Sequence, residues 1–427
     1  MKFTAVGDML IQRRLPGEYE GFREVSQYIK KGDVRFFNLE TTLNRGDCFA
    51  SQFSGGSWLR TDPEVLEDAR KFGFNILTFA NNHTMDFSYD GLLKTLDAVN
   101  KYGFPNSGVG RNLGEAAAPA YLDTLSGRAA LISVVSSFEP SAMAGEQSRR
   151  VIGRPGVNGL RYNEKYYVTK EYMDILKKIA EETAINGKDD ISRAEGYLPP
   201  VPEGCFYFKN ILFEEGEETK RVTKVNQKDM QRVEKAIYEA QLQADYIIIS
   251  VHSHEIQGTK KETPDDFLVE FAHRCIDKGA HAVIGHGPHL LRPIEIYKGR
   301  PIFYSLGDFV LQNENIPFAP EDFFEKYGLN SDYTMRDLFK TRSRDFTVGL
   351  QTKKEMFETV IPYWEMENGE LKILELMPVE LGVGLPRSRN GWPAPARDLS
   401  FMERLKEMSA PYGTEIKIEN GICRVLL

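Results

Sequence analysis

The sequence predicts an α/β protein with mixed sheets, and two observations carry that prediction. Short β-like apolar runs alternate with amphipathic helical stripes along much of the chain. Near residue 298, two β-like runs meet across a Lys-Gly turn, which adds an antiparallel hairpin to an otherwise parallel pattern.

In chain order, Phe3 to Val6 reads as a strand that ends at Gly7-Asp8. A helix follows where Asp62 can cap, Pro63 suits the first turn, Val65, Leu66, Ala69 and Phe72 share one face, and Gly73 stops the run. Ile76 to Ala80 is a strand leading into Asn81-Asn82-His83, and Leu92, Leu93, Leu96 and Val99 mark a helix that stops at Gly103. The alternation resumes with Ala129 to Val135 as strand, Met230, Val233, Ile237 and Ala240 as a helical stripe, and Tyr246 to Val251 as strand. A helix opened by Pro264 ends at Gly279, and Ala282 to Ile284 is another strand. Lys298-Gly299 then joins Ile294 to Tyr297 with Pro301 to Ser305 as the hairpin.

Two stretches leave this rhythm. Residues 140–228 mix Gly and Pro clusters, a helical run from Tyr172 to Thr183 and the acidic stretch Glu214 to Glu218, and are read as a cap insertion. Residues 311–427, with Trp364, Trp392 and a helical run from Leu399 to Met408, are read as a C-terminal extension packed on the core. Residues 1–139 and 229–310 remain as the core.

The length of 427 residues suits two domains of ~100–200 residues or one large domain with an insertion. With 41% hydrophobic and 27% charged residues, the chain is neither disordered nor fibrous. A net charge of −8 argues against a nucleic-acid partner. Cys48, Cys205, Cys275 and Cys423 lack the short spacings of a zinc knuckle or redox pair and read as free core thiols in a reducing compartment. No apolar run approaches ~18 residues, so no membrane partner is expected, and the chain is read as cytoplasmic.

The chemistry collects where polar residues stop the strands. Asp8 follows the first, Glu40 follows Phe36-Phe37-Asn38-Leu39, and Asn82 and His83 follow the third. His252 and His254 end the run at Val251, and His286 and His289 follow Ala282 to Gly285. In an α/β sheet the carboxyl ends of parallel strands share one edge, so these residues converge although distant in sequence. Carboxylate, amide oxygen and imidazole together suit Mn, Fe or Zn better than Mg or Ca. The chain has 7 histidines, and all but His273 and His281 fall in these turns; those two are read as structural. Gly285-His286-Gly287-Pro288-His289 is the strongest single piece, because Gly and Pro hold an irregular backbone that can aim two imidazoles at one point.

Together these segments resemble the CapA-type proteins named for poly-γ-glutamate capsule synthesis, within the calcineurin-like metallophosphatase superfamily. The matching pieces are Val6 to Leu10, Asn38 to Glu40, Ala80 to Asp86, Val251-His252 and the long run from Gly279 to Val310. The resemblance spans about residues 1 to 310, less firmly through the insertion, and implies a four-layer α/β/β/α metallophosphatase-like sandwich with one or two divalent ions at the strand ends. It implies Asp8 as a terminal ligand, Glu40 in the place of the bridging carboxylate, and Asn82 as an amide-oxygen ligand. His252, His286 and His289 would complete the shells, and His83 would stand as the catalytic residue near the substrate oxygen. Asn38 and Asp86, inside the matching segments, are further candidate site residues. The chain departs from the superfamily at Leu10, where a His is usual, and at Glu40, where Asp is usual. It departs from the CapA branch at Ser253-His254, where Trp-Gly is usual, and at Asp308, where Asn is usual. His254 and Asp308 are therefore added to the candidates, with outer-shell or structural roles expected, Asp308 at the rim.

The expected activity is that of a phosphoesterase using a metal-activated hydroxide on a small anionic substrate. The alternatives are a γ-glutamyl or amide hydrolase or transferase, and a non-catalytic component of poly-γ-glutamate capsule synthesis. Arg149, Arg150, Arg154 and Arg161 crowd the start of the insertion; Arg154 and Arg161 are candidate substrate contacts, although a solvated basic run also explains the cluster.

Overall fold

Every residue of the strand Lys2–Leu10 after Lys2 is buried, so both of its faces are covered. The covers differ by the parity of the side chain, as a pleated strand requires. In the neighbouring strand Val34–Leu39, Val34 and Phe36 join one apolar cluster while Phe37 and Leu39 join another. The first cluster also takes Ala129, Leu131, Tyr246, Ile248, Ala282 and Ile284, and so lies between two sheets. The second takes Val25, Tyr28, Leu66, Phe72, Leu92 and Leu96, from the helices Phe22–Ile29, Val65–Phe72 and Ser88–Lys101. On the far side of the second sheet, Ile132, Ile247, Ile249 and Val283 meet Met230, Val233, Phe267 and Phe271 of the helices Gln227–Gln241 and Asp266–Asp277. The result is a four-layer α/β/β/α sandwich, in a computed structural model that describes residues 1–419 and 421–427.

Both sheets are mixed. In the ten-stranded sheet, Lys2–Leu10, Val34–Leu39, Ile76–Thr78 and Asn106–Ser107 run parallel, and Asp308–Leu311 pairs parallel with the end of Lys2–Leu10. In the six-stranded sheet the parallel strands are Gly127–Val135, Tyr246–His252, Ala282–His286 and Arg300–Phe303. The hairpin at Lys298-Gly299 forms as the sequence predicts, with both turn residues at positive φ (49° and 72°).

Three expectations change in detail. The first strand does not stop at Gly7 but runs on to Leu10, with shifts in register on either side of Asp8. It can do so because Gly7 has no side chain: a Cβ there would stand 1.8 Å from the Gly307 carbonyl oxygen. The helix expected from Pro63 starts at Val65, with Glu64 at the cap position and no side-chain capping bond. The boundary placed at 310 falls inside the strand Asp308–Leu311, and Glu358–Glu367 then pairs antiparallel with Lys2–Leu10, so residues beyond 311 continue the first sheet. Trp364 on that strand is buried and stacks on Phe3, ring centroids 5.1 Å apart.

Residues 140–228 include a separate four-stranded sheet, Cys205–Phe208, Ile211–Glu215, Tyr162–Val168 and Lys220–Val225, with the helices Lys170–Thr183 and Gly187–Ala194. It is fastened to the core by Arg221 on Asp265 (2.8 Å), by Arg161 on the buried Asp229 (2.8 Å) and by Tyr162 stacked on Phe267 (4.4 Å between centroids). Among the described residues, no helix is long and apolar enough to cross a membrane.

The close approach at Gly7 yields a test. Gly7→Ala places a methyl group against backbone that cannot rotate away, and it should lower unfolding free energy by about 3 kcal/mol or prevent folding outright. Chemical denaturation of the variant checks this; a loss under about 0.5 kcal/mol would show that the two chain segments can separate freely.

Candidate metal centre

Sheet register explains why the strand-end residues meet. Asp8 is level with Asn38 on one side and Asp308 on the other, and His252 is level with His286 in the second sheet. Glu40 follows Asn38 by two residues, and the loop after Ile76–Thr78 carries Asn81, Asn82 and His83. The Gly285-to-His289 segment has the irregular backbone its composition implies, with φ of 114° at Gly287 and 60° at His289. The Gly287 N–H donates to Asp8 Oδ2 at 2.8 Å, which ties the second sheet's loop to the first sheet's carboxylate.

Around Asp8 the contacts are short. Its Oδ1 accepts from Asn38 Nδ2 at 2.6 Å and lies 3.6 Å from His286 Nδ1 and 3.7 Å from His252 Nδ1. Glu40 Oε1 lies 3.8 Å from both His83 Nε2 and His252 Nε2, and Glu40 Oε2 lies 4.0 Å from His289 Nδ1. His254 Nε2 stands 3.2 Å from His252 Nε2. Asp308 is fully buried rather than at a rim, with Oδ1 2.9 Å from His289 Nδ1, because its strand runs parallel beside Asp8. Leu10, two residues after Asp8, packs in the helix-side core.

The donor atoms fit divalent cations on a test internal to the structure. Buried polar groups are almost always hydrogen-bonded, yet both Glu40 oxygens, Asn82 Oδ1, Asp308 Oδ2 and both His286 ring nitrogens are buried without a partner. Potential ligand atoms fall into two groups that share Glu40: Glu40, His252 and His254, and Asp8, Glu40, His289 and Asp308. The first is richer in nitrogen and the second in oxygen.

His83 is held from behind. Asp86 accepts the Gly55 and Leu59 N–H groups at 3.0 and 2.7 Å and stands 2.6 Å from His83 Nδ1. Asp86 accepts a hydrogen bond from the Nδ1–H of His83, and Nε2 is the ring atom that faces Glu40. Asn82 Nδ2 donates to the Gly55 carbonyl at 2.9 Å, which leaves its Oδ1 as the free end of the amide.

Electrostatics point the same way. Burial, and then the Asp308 charge, push the Asp8 carboxyl up to about 7. Burial followed by Asp8 and Asp308 holds Glu40 well above the usual carboxylate range. Burial and neighbouring imidazoles press His252 and His254 well below their ordinary value, and burial alone brings His286 to about 3. Burial opposes the His289 cation, yet the Asp308 charge and hydrogen bond leave its value raised. The Asp8 and Glu40 carboxyls are pushed toward their neutral form, a state that a bound cation reverses, while His252, His254 and His286 are already in the neutral form that ligation requires and His289, beside Asp308, is the exception.

The arginine candidates are engaged by other groups, although Arg161 lines a cavity shared with Asn82 and His254. Arg161 is tied to Asp229 through Nε and Nη2, both at 2.8 Å, and Arg154 donates to the Met143 carbonyl. Arg149 and Arg150 are exposed. His273 pairs with Glu295 at 2.9 Å and His281 accepts from the Ile247 N–H, which suits the structural roles expected of both. Sequence reasoning missed Arg292, fully buried, whose guanidinium donates to the carbonyls of Lys261, Ser253, His254 and Glu255 and so fixes the loop bearing His254. It also missed Asn81, whose Nδ2 bridges Asn38 Oδ1 and the Leu39 carbonyl. Both lie inside the segments matched to the family, which is the signal that could have marked them, but only the fold shows their partners. Of the cysteines, Cys275 and Cys423 are buried, whereas Cys48 and Cys205 are only partly so; all four are free.

Comparison with known proteins adds to this geometry. Residues 2–313 match the family model described as bacterial capsule synthesis protein PGA_cap. The uncharacterized protein y4sH of Sinorhizobium fredii is 31% identical over 433 residues, covering 98% of this chain and 91% of that protein. The PGA biosynthesis protein CapA of Bacillus subtilis is 25% identical over 311 residues, covering 71% of this chain and 62% of that protein. Among solved structures, a putative 5'-nucleotidase from Staphylococcus aureus aligns with a TM-score of 0.39 at 9% identity, over 95% of this chain and 57% of that one.

The raised carboxyls set a stability profile. An unfolded Asp titrates near ~3.9, whereas folded Asp8 titrates at about 7, so its contribution is complete at low pH and is lost as pH rises through about 7. His289 acts in the same direction, and the lowered histidines oppose it only below their ordinary value of 6.5. The Tm of metal-free protein should therefore fall between about pH 6.5 and pH 8, and a saturating divalent ion should raise Tm most at the upper end. Calorimetry with and without Mn or Zn checks this; a metal-free Tm that climbs over the range would contradict it.

Proposed function

The chain belongs to the bacterial capsule synthesis protein PGA_cap family, and from that premise we propose that it is a metal-dependent hydrolase of phosphate esters with a small anionic substrate. The observation that carries this reading is the set of buried, unpartnered ligand atoms on Glu40, Asn82, His286 and Asp308, within a cluster whose two potential ligand groups share Glu40. Glu40 is the common ligand in this reading, with Asp8, His289 and Asp308 on one side and His252 and His254 on the other. Asn82 and His286 complete the set. Mixed imidazole and carboxylate donors favour Mn, Fe or Zn.

Bound divalent ions would supply Lewis acidity to a phosphoryl oxygen and lower the pKa of water. The chain's own residues do the rest. Asp86 holds the Nδ1 proton of His83, so Nε2 is the atom that exchanges a proton with the substrate's leaving oxygen. Arg292 keeps the 253–261 loop in place through backbone carbonyls, and with it His254. Cytoplasmic placement belongs to the same proposal, since a reducing compartment suits four free cysteines.

Two measurements test the reading. His83→Ala should lower kcat by about a hundred- to ten-thousandfold with metal content unchanged. Asp8→Asn and His286→Ala should remain folded by circular dichroism and lose metal by elemental analysis; full metal stoichiometry in both would refute the ligand assignment. Substrates are best sought in an Mn-supplemented screen of phosphomonoesters, phosphodiesters and γ-glutamyl amides. Turnover of γ-glutamyl amides alone would replace the phosphoesterase reading with an amidase, to which the family's name points.

A further inference from the structure

A cavity of about 580 Å³ opens beside the cluster, with Asn82 and His254 on its wall. That is room for a small molecule. Its charged lining is not what a polyanion needs. Two carboxylates, Glu139 and Glu255, face one guanidinium, Arg161, which is already engaged by Asp229.

Glu255 is built in with care. Its carboxylate accepts the hydroxyls of Ser136 (2.7 Å), Ser137 (2.9 Å) and Ser253 (2.8 Å), and among the described residues no lysine or arginine forms an ion pair with it. The buried Arg292 donates to the Glu255 backbone carbonyl and to three other carbonyls, so it acts on the carboxylate through its charge and not through a hydrogen bond. Neutral hydroxyls fix the orientation of this carboxylate without cancelling its charge. Phe138 and Tyr162 line the same cavity, Tyr162 with one ring face already stacked on Phe267, and an open ring face attracts a cation as well. A polymer carrying one carboxylate per residue would meet like charge here, whereas an ammonium would meet a fixed anion.

We propose that this cavity seats the leaving group of a phosphate monoester and that the leaving group carries an ammonium, paired with Glu255. This rests on the phosphoesterase reading for its reaction and adds the substrate class. The Ser136, Ser137 and Ser253 hydroxyls act as positioning groups for the carboxylate.

The test compares 2-aminoethyl phosphate with ethyl phosphate on the full-length, Mn-loaded protein. A charge-assisted contact should favour the amino ester by about ten- to hundredfold in kcat/KM, mostly through KM, and Glu255→Gln should bring that ratio close to one. Equal efficiencies in the wild type, or a preference that survives in Glu255→Gln, would overturn the proposal. If neither ester turns over, the phosphoesterase reading is decided by the wider phosphoester screen, and calorimetric titration of the two esters decides the subsite separately. Tighter binding of the amino ester, lost in Glu255→Gln, keeps the subsite; equal or absent binding removes it. Should the variant not fold, the wild-type ratio alone decides.

Discussion

Three carboxylates, Asp8, Glu40 and Asp308, are buried together at the ends of strands, with only partial hydrogen bonding. Removing one charge from water is costly, and gathering three multiplies the penalty through mutual repulsion. Burial and mutual repulsion push Asp8 and Glu40 toward their protonated forms, and around them His252 and His286 stay neutral while Asp308 favours the cation of His289. Such an arrangement stores binding free energy for divalent cations.

The sandwich exists in the form it has because it must deliver those residues to one point. Parallel strands in both sheets present their carboxyl ends to a shared edge, and the sheets are tied across that edge by the Gly287 N–H on Asp8. Gly7 allows the 307 segment to touch the first strand, and Gly285 does the same for Tyr304, whose carbonyl oxygen would be 2.3 Å from a Cβ at that position. The strand Glu358–Glu367 then buries the outer side of Lys2–Leu10, so the element that bears Asp8 is fixed by neighbours on both flanks. Rigidity around the cluster follows from packing rather than from any single bond.

Beside this cluster the balance of charge changes. The cavity wall combines aromatic faces with carboxylates, and its guanidinium is held by Asp229. The family's description concerns capsule synthesis, while the wall of this cavity carries two carboxylates and one engaged guanidinium; a family name describes relatives, and a lining describes what can bind here.

The sequence by itself determined the alternation of strands and helices, the hairpin at Lys298-Gly299, and the positions of Glu40, His83, His252, His286 and His289 at or just after strand ends. These are legible because periodicity, turn residues and polar stops are local patterns. Only the tertiary structure decided that Lys2–Leu10 continues past Gly7, that the chain beyond 311 supplies strands to the same sheet, and that Asp308 lies buried beside Asp8. It alone placed His254 against His252, drew Arg161 onto Asp229, and gave Glu255 its three serines. Each of these depends on which distant segment becomes a neighbour, and proximity in space leaves no mark on composition or spacing.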